Sequence, residues 1–438
     1  MRFPLPLVLK IASSILWKKL QHQNQFATVL QLEPLHTCNL TCTGCGRIRE
    51  YSTSLKNVMP LADCLAAAKE CDAPMVSICG GEPLIYPEIE QLVAGLLEQR
   101  RIVYICTNGL FMRKKMRSYL AWLWANQPTS RSQLQSKIQI LLSEQLITPD
   151  QAREIENQTS SPTCVIKPSI WLFWNVHLDG LERTHDLIVE REGVFRECIA
   201  AIRMAKILGF QVATNTTIYR ETDMAEIEQL FDFLSWLDVD GHTISPGYDY
   251  DAAKEDMRKR LGLNPEDFFL TRPLTRQKFR DIEDWAHRYR FFGTPAYFEF
   301  LAGKRELTCS AWAIPTRNIL GWKAPCYVMS DYAKTKGHYP TYKELLENVN
   351  WDSYGVKDGV ARDPRCENCM MHCGFEPTAT LGLCPKNGDL TKLLAFNFGP
   401  RPRRRAAGAH VKAFNGVANG QAKKNQHRQA ASSNLSEI

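Results

Sequence analysis

The chain of 438 residues predicts an α/β fold: a parallel sheet whose strands are joined by right-handed helical crossovers. Two observations carry that prediction. Six short apolar runs, at 28–35, 75–79, 102–106, 170–178, 212–218 and 241–245, have strand length and lead into Gly-, Asn- or Pro-bearing turns. Nearly all of them are separated by segments with helical periodicity, at 61–71, 87–99, from 110, 194–208 and 224–237. A chain of this length buries a large core and leaves room for appendages.

The first run opens a loop reading Cys38-Asn-Leu-Thr-Cys42-Thr-Gly-Cys45. Three thiolates spaced C-x3-C-x2-C can hold three irons of a [4Fe–4S] cluster and leave the fourth iron open. A structural zinc site closes its shell with four ligands, so a lone triplet suits it poorly. The second run leads into Gly80-Gly81-Glu82-Pro83. Two glycines after a strand let backbone approach a ligand closely, and a carboxylate there can receive an ammonium group. Polar groups gather at the remaining strand ends: Asn108 after the third, His177 and Asp179 after the fourth, Asn215 on the fifth and Tyr248 after the sixth.

Fifteen cysteines in so long a chain do not form the framework of a small secreted domain. Cys64, Cys71 and Cys198 fall within helical patterns, where a free thiol acts as a small hydrophobe. A reducing, cytoplasmic compartment is expected. The net charge of +7 does not by itself argue for nucleic acid.

Residues 1–27 read as an N-terminal amphipathic helix. Lys10 interrupts its apolar run, so neither a signal peptide nor a spanning helix fits; the helix either packs on the protein or lies in a membrane interface. Residues 28–250 form the strand–helix series. An insertion at 114–168, with helical patterns at 118–125, 132–145 and 148–157, lengthens the third connection and acts either as a lid or partner surface or as an inert elaboration. Residues 251–390 are a cysteine-rich C-terminal domain. Residues 391–438 are a basic tail, opened by the run 401–405, without apolar periodicity and expected to be disordered. With the first helix, that basic run makes an inner membrane face a second expected location for a peripheral protein.

A second cysteine group comprises Cys309 and Cys326, in a C-x11-G-x4-C arrangement, with Cys366, Cys369 and Cys373. It suits an auxiliary iron–sulfur cluster, a tetrahedral zinc, or unligated thiols.

The cysteine triplet followed by Gly-Gly-Glu-Pro resembles the signature of the radical S-adenosylmethionine (SAM) superfamily. The resemblance implies a partial (β/α)6 TIM-type barrel with its site at the strand C-termini. It also implies a [4Fe–4S] cluster on Cys38, Cys42 and Cys45, and SAM contacts from Gly80, Gly81, Glu82, Pro83, Asn108, His177, Asp179, Asn215 and Tyr248. The C-x11-G-x4-C run resembles the start of auxiliary-cluster domains. Further motifs, among them Cys106-Thr-Asn108, Ser245-Pro-Gly-Tyr248, Pro315-Thr-Arg-Asn318, Trp351-Asp-Ser-Tyr-Gly355 and Cys369-Met-Met-His-Cys-Gly374, resemble the adenosyl-hopene transferase family. That resemblance implies addition of a 5′-deoxyadenosyl radical to the terminal alkene of diploptene. The adduct radical then needs a hydrogen atom, for which Cys106 is the first candidate donor and Cys79 the second. The partners implied are a lipid substrate and a reductase, flavodoxin or ferredoxin as electron donor. Two alternatives remain: modification of a peptide or another isoprenoid, and a non-enzymatic iron–sulfur scaffold, which would have no use for Gly-Gly-Glu-Pro.

Overall fold

The structure, a computed structural model, describes residues 3–45, 47–50, 56–127, 129, 131–157, 163–329, 337–382 and 389–399. Six parallel strands stand side by side in chain order: β1 (Val29–Leu32), β2 (Met75–Ile78), β3 (Ile102–Thr107), β4 (Leu172–His177), β5 (Gln211–Ile218) and β6 (Gly241–Pro246). This is the expected open, partial (β/α)6 barrel.

Strand side chains alternate between two faces, and the register sorts them by chemistry. Leu30, Leu32, Val76, Ile78, Val103, Ile105, Leu172, Trp174 and Val212 are fully buried, and belong to the main core. Crossover helices Leu61–Cys71, Ile89–Glu98, Val194–Leu208 and Met224–Trp236 contribute the other half of that core; Cys64, Cys71 and Cys198 are buried within it, as their helical spacing predicts.

The other face lines the barrel interior. At the strand N-termini it is apolar: Tyr104, Phe173 and Ala213 pack with Leu7 of helix α1 (Leu5–Leu20), and Phe3 stacks on Phe173. The same face carries Ser77, level with Tyr104, then Cys106 and Asn175, level with Ala213, and beyond these His177, Asn215, Thr217 and Ser245. The barrel therefore has a greasy floor plugged by α1 and a polar mouth.

Helix α1 forms where expected, with Pro4 at its N-cap. It buries Leu7 and Ile15 against the protein yet leaves Leu9, Leu16, Trp17 and Leu20 exposed. The insertion folds into helices Met112–Asn126, Arg131–Ser143 and Pro149–Glu156, the last started by a capping box between Thr148 and Gln151. Their ion pairs, Arg113–Glu197, Lys115–Glu90 and Arg203–Glu144, tie the first helix and the turn after the second to the outer helical layer.

The C-terminal region is not set apart from the barrel. Strand β7 (Thr316–Asn318) pairs in parallel with the free edge of β1, and β8 (Gly321–Lys323) and β9 (His338–Tyr339) extend the same sheet antiparallel. Nor does residue 391 begin a disordered tail: helix Asp389–Phe398 docks through Arg305–Asp389, Lys392–Glu299 and an edge contact of Phe396 with Phe298. The basic run at 401–405 lies outside the described residues.

Candidate active site

The three clustered cysteines sit half-buried on the loop beyond β1. Burial pushes the Cys38 thiol up to about 12, and burial together with Cys45 and Cys38 raises Cys42 further. Thiols held this close resist ionising unless a multivalent cation takes the charge, which is what an iron–sulfur cluster does. The donor set fits that group. Asn108 joins the loop from the end of β3: its amide donates to Asn39 Oδ1 at 2.8 Å and reaches Cys38 Sγ at 3.8 Å.

Pairing continues past the ends of β1 and β2. Cys79 N donates to Leu32 O, Gly81 N to Leu35 O and Glu82 N to Thr37 O, all within 3.0 Å. A Cβ at Gly81 would lie 2.1 Å from Thr37 O, and one at Gly80, where φ is +106°, would lie 2.3 Å from Leu35 O. Only glycine permits this approach.

Glu82 is held by the turn and by the end of β3. Its carboxylate accepts from Leu84 N (3.0 Å), Thr107 Oγ1 (2.7 Å) and Asn108 N (2.8 Å), and it is 1% exposed. Burial pushes its pKa up to about 7 despite those donors. Its carboxylate braces the Gly-Gly-Glu-Pro turn against β3, and Pro83 begins the short helical turn that Glu82 caps.

At the end of β4, His177 Nε2 meets Asp179 Oδ2 at 2.7 Å, while Asp179 Oδ1 accepts from Thr217 N at 2.7 Å. Burial opposes charge on His177, but the Asp179 carboxylate outweighs it and raises the pKa. Asp179 is fully buried, so His177 is the member that presents to the mouth, beside its register partner Asn215. Behind them His185 is held neutral, lowered to about 4 by burial.

Tyr248 is placed differently from expectation. Its hydroxyl donates to Arg365 O, and its ring lines the pocket of the second cysteine group. That pocket gathers all five C-terminal cysteines, Cys309, Cys326, Cys366, Cys369 and Cys373, among apolar neighbours including Met329 and Phe375. Gly355 N donates to Cys366 Sγ at 3.2 Å, and a Cβ on Gly374 would lie 2.9 Å from Cys309 Sγ. Among the described residues no three His, Cys, Asp or Glu side chains are already grouped to share a single metal ion.

Cys106 lies in the barrel interior, with Ser77 Oγ 3.1 Å from its sulfur and Asn175 Nδ2 at 3.4 Å. Burial raises its pKa, against both hydrogen bonds, so it stays a thiol. Cys79 is likewise held as a thiol by burial. Sequence reasoning missed Ser77 and Asn175 as partners of Cys106. It also missed the buried pair Arg47–Glu33, which links the cluster loop to the C-terminal region through Tyr327. Neither had a signal beyond a polar residue at an inward strand position or just after a loop.

The open parallel barrel presents three half-buried thiols at its C-terminal rim. By family model, residues 32–234 match the radical SAM superfamily, and residues 242–392 match a domain of unknown function, DUF3463. Residues 32–234 are thus a radical SAM domain, with a [4Fe–4S] cluster and SAM as its cofactors. No curated protein matches the chain. Among solved structures it is similar to Streptococcus suis SuiB bound to S-adenosylmethionine, at 13% identity over 83% of this chain and 76% of that one, with a TM-score of 0.49. It is also similar to anSMEcpe with bound AdoMet, at 14% identity over 84% and 96%, with a TM-score of 0.46. A further SuiB structure is matched at 18% identity and a TM-score of 0.32, over 54% of this chain and only 44% of that one.

Proposed function

We propose that the protein reductively cleaves SAM and adds the 5′-deoxyadenosyl group to the terminal alkene of a hopanoid, with Cys106 returning a hydrogen atom to the adduct. The observation that carries this reading is a protonated thiol fixed inside the barrel by Ser77 and Asn175. An enzyme that only abstracts hydrogen needs no donor there, whereas a radical addition does. A thiol S–H bond is weaker than a tertiary C–H bond, so the transfer runs downhill. The choice of a hopanoid rests on the motif resemblance.

When bound, the cluster and SAM supply an electron and the 5′-deoxyadenosyl radical. The chain's own residues hold and orient. Cys38, Cys42 and Cys45 would ligate the cluster; Gly80 and Gly81 admit SAM close to the backbone. His177, its charge favoured by Asp179, suits the SAM carboxylate, and Asn108 and Asn215 offer further polar contacts at the mouth. The greasy floor behind Cys106 keeps rival hydrogen donors away from the adduct radical. A flavodoxin, ferredoxin or reductase would supply electrons.

No described helix is long and apolar enough to cross a membrane. The exposed Leu9, Leu16, Trp17 and Leu20 of α1 support contact with a bilayer surface, but at the barrel floor, opposite the mouth.

A second reading is radical modification of a peptide or another isoprenoid, assisted by an auxiliary cluster. The five-cysteine pocket favours it. Anaerobic reconstitution followed by incubation with SAM, reductant and diploptene separates the readings by mass spectrometry. An adduct carrying intact adenosine is expected. Free 5′-deoxyadenosine alone would keep the class but exclude this acceptor, and a panel of peptides and isoprenoids would follow. No SAM cleavage by a reduced, intact cluster would overturn the enzyme reading.

A further inference from the structure

Asn175 stands out among the barrel residues. It is 9% exposed, its amide Nδ2 is directed at Cys106 Sγ, and its Oδ1 has no hydrogen-bond donor. A buried amide oxygen left unpaired is unfavourable unless something arrives to donate to it. Asn175 shares its inward face with Cys106, its register partner on β3, and with His177 at the mouth. Below it the floor is apolar, so a donor must come from the mouth side.

We infer that Asn175 and Ser77 are positioning residues for Cys106: they hold its sulfur so that the S–H bond faces the reacting carbon, and Asn175 Oδ1 accepts a hydrogen bond from a hydroxyl or N–H of the bound adenosyl group. This rests on the hydrogen-donor reading of Cys106. Asn175 Nδ2 donates to the sulfur, and Ser77 Oγ, 3.1 Å away, can donate or accept; with Ser77 donating while the adenosyl group is seated, the S–H is left to point into the lumen. A hydrocarbon acceptor brings no donor of its own; ribose hydroxyls and the adenine amino group do. One side chain would thereby sense the seated adenosyl group and aim the thiol.

The transfer balances. The adduct carbon radical takes the hydrogen atom of Cys106: a C–H bond forms, the S–H bond breaks, and the sulfur is left as a thiyl radical. One electron from a low-potential one-electron reductant, the class that also initiates the reaction, and one proton from solvent restore the thiol. Hydrogen bonds from Ser77 and Asn175 favour that reduction because they stabilise negative charge developing on sulfur.

The test uses the reconstituted holoenzyme in D2O with SAM, reductant and diploptene, comparing Asn175→Ala and Ser77→Ala with Cys106→Ala. Ser77→Ala should consume SAM within about two-fold of the parent, whereas Asn175→Ala, which also loses the contact to the adenosyl group, should consume it more slowly; per SAM consumed, each should form at least about five-fold less deuterium-labelled adduct, the worth of one hydrogen bond. Ser77→Thr, which keeps the hydroxyl, should restore it. In H2O, the Cys106 S–H stretching band, isolated by difference against Cys106→Ala, should shift in both alanine variants. If the adduct, its label and the band are unchanged while Cys106→Ala abolishes the label, the positioning role is wrong and the donor reading stands. If Cys106→Ala itself keeps the label, the donor reading falls and this inference with it. Should Asn175→Ala also lose SAM cleavage, the S–H band of the isosteric Asn175→Asp decides: an unmoved band overturns the inference.

Discussion

Arg47 and Tyr327 join the two cysteine-bearing regions: the Arg47 guanidinium donates to the Tyr327 carbonyl at 2.9 Å and lies 4.5 Å from the centre of its ring. Arg47 follows Cys45 by two positions and Tyr327 follows Cys326 directly, so one side chain touches both loops. Arg47 also forks onto Glu33, and although burial opposes charge on that carboxylate, the guanidinium holds it down at about 2. Lys323 completes the group, donating to Tyr327 O at 2.8 Å and to Glu50 at 2.9 Å.

Removing Arg47 should therefore be felt at both regions. Arg47→Ala leaves Glu33 buried without its main partner and should cost about 3–5 kcal/mol. Arg47→Lys recovers only part, since an ammonium cannot fork onto the carboxylate and stack on Tyr327 together. Urea unfolding of the parent and both variants measures this; a loss under about 1 kcal/mol for Arg47→Ala would show that the pair does not brace the domains.

Gly81→Ala places a methyl group 2.1 Å from Thr37 O, so either the cluster loop or the Gly-Gly-Glu-Pro turn must move. A misplacement near 1 Å at a reacting centre can lower rate by about 100-fold. SAM cleavage should fall on that scale while far-ultraviolet circular dichroism stays unchanged. Parent-like cleavage would mean that the two loops need not pack so closely.

Metal content discriminates the readings of the five-cysteine pocket. With both groups filled by four-iron clusters, the reconstituted protein should bind about eight irons. Cys366→Ala with Cys369→Ala should leave about four, as should joint replacement of Cys38, Cys42 and Cys45. A tetrahedral zinc in the pocket would instead give about four irons and one zinc, and unligated thiols about four irons alone.

Two neutral buried histidines predict acid sensitivity. Burial, with Arg290 nearby, pushes His242 down to about 3, and burial pushes His185 to about 4. Both folded values lie below the ordinary value of 6.5, so under acid the unfolded chain takes up protons that the folded chain refuses. Stability is fully present above about pH 6.5 and declines as pH falls toward 4, by up to ~1.4 kcal/mol per unit for each group. Denaturant titrations at several pH values should show that slope, and His242→Asn should reduce it by one proton. An equal slope in the variant would mean that His242 can charge in place.

For α1, flotation with anionic vesicles tests the exposed stripe. Parent protein should co-float, and Leu9→Ser with Trp17→Ser and Leu20→Ser should not, while retaining SAM cleavage. Absence of flotation by the parent at low salt would remove the membrane-surface reading.

The sequence alone determined the features that depend on neighbours along the chain. Short apolar runs between helical segments make parallel strands, C-x3-C-x2-C needs only its own loop, and Gly80-Gly81 announces a close approach even before the partner is known. What only the tertiary structure decided is partner choice across long separations. Arg47 meets Tyr327 from 280 residues away, and β7 takes the free edge of β1, so the C-terminal region continues the sheet. Glu82, which spacing suggests for an ammonium, is taken up by the Thr107 and Asn108 donors of the next strand, and Tyr248 turns to the second cysteine pocket. Asn175 and Cys106 become neighbours only through register, which places them opposite one another on adjacent strands. The reason is physical: alternation and turn chemistry act over a few residues, whereas which buried polar group satisfies which is settled only when the packed core brings distant strands to a common level.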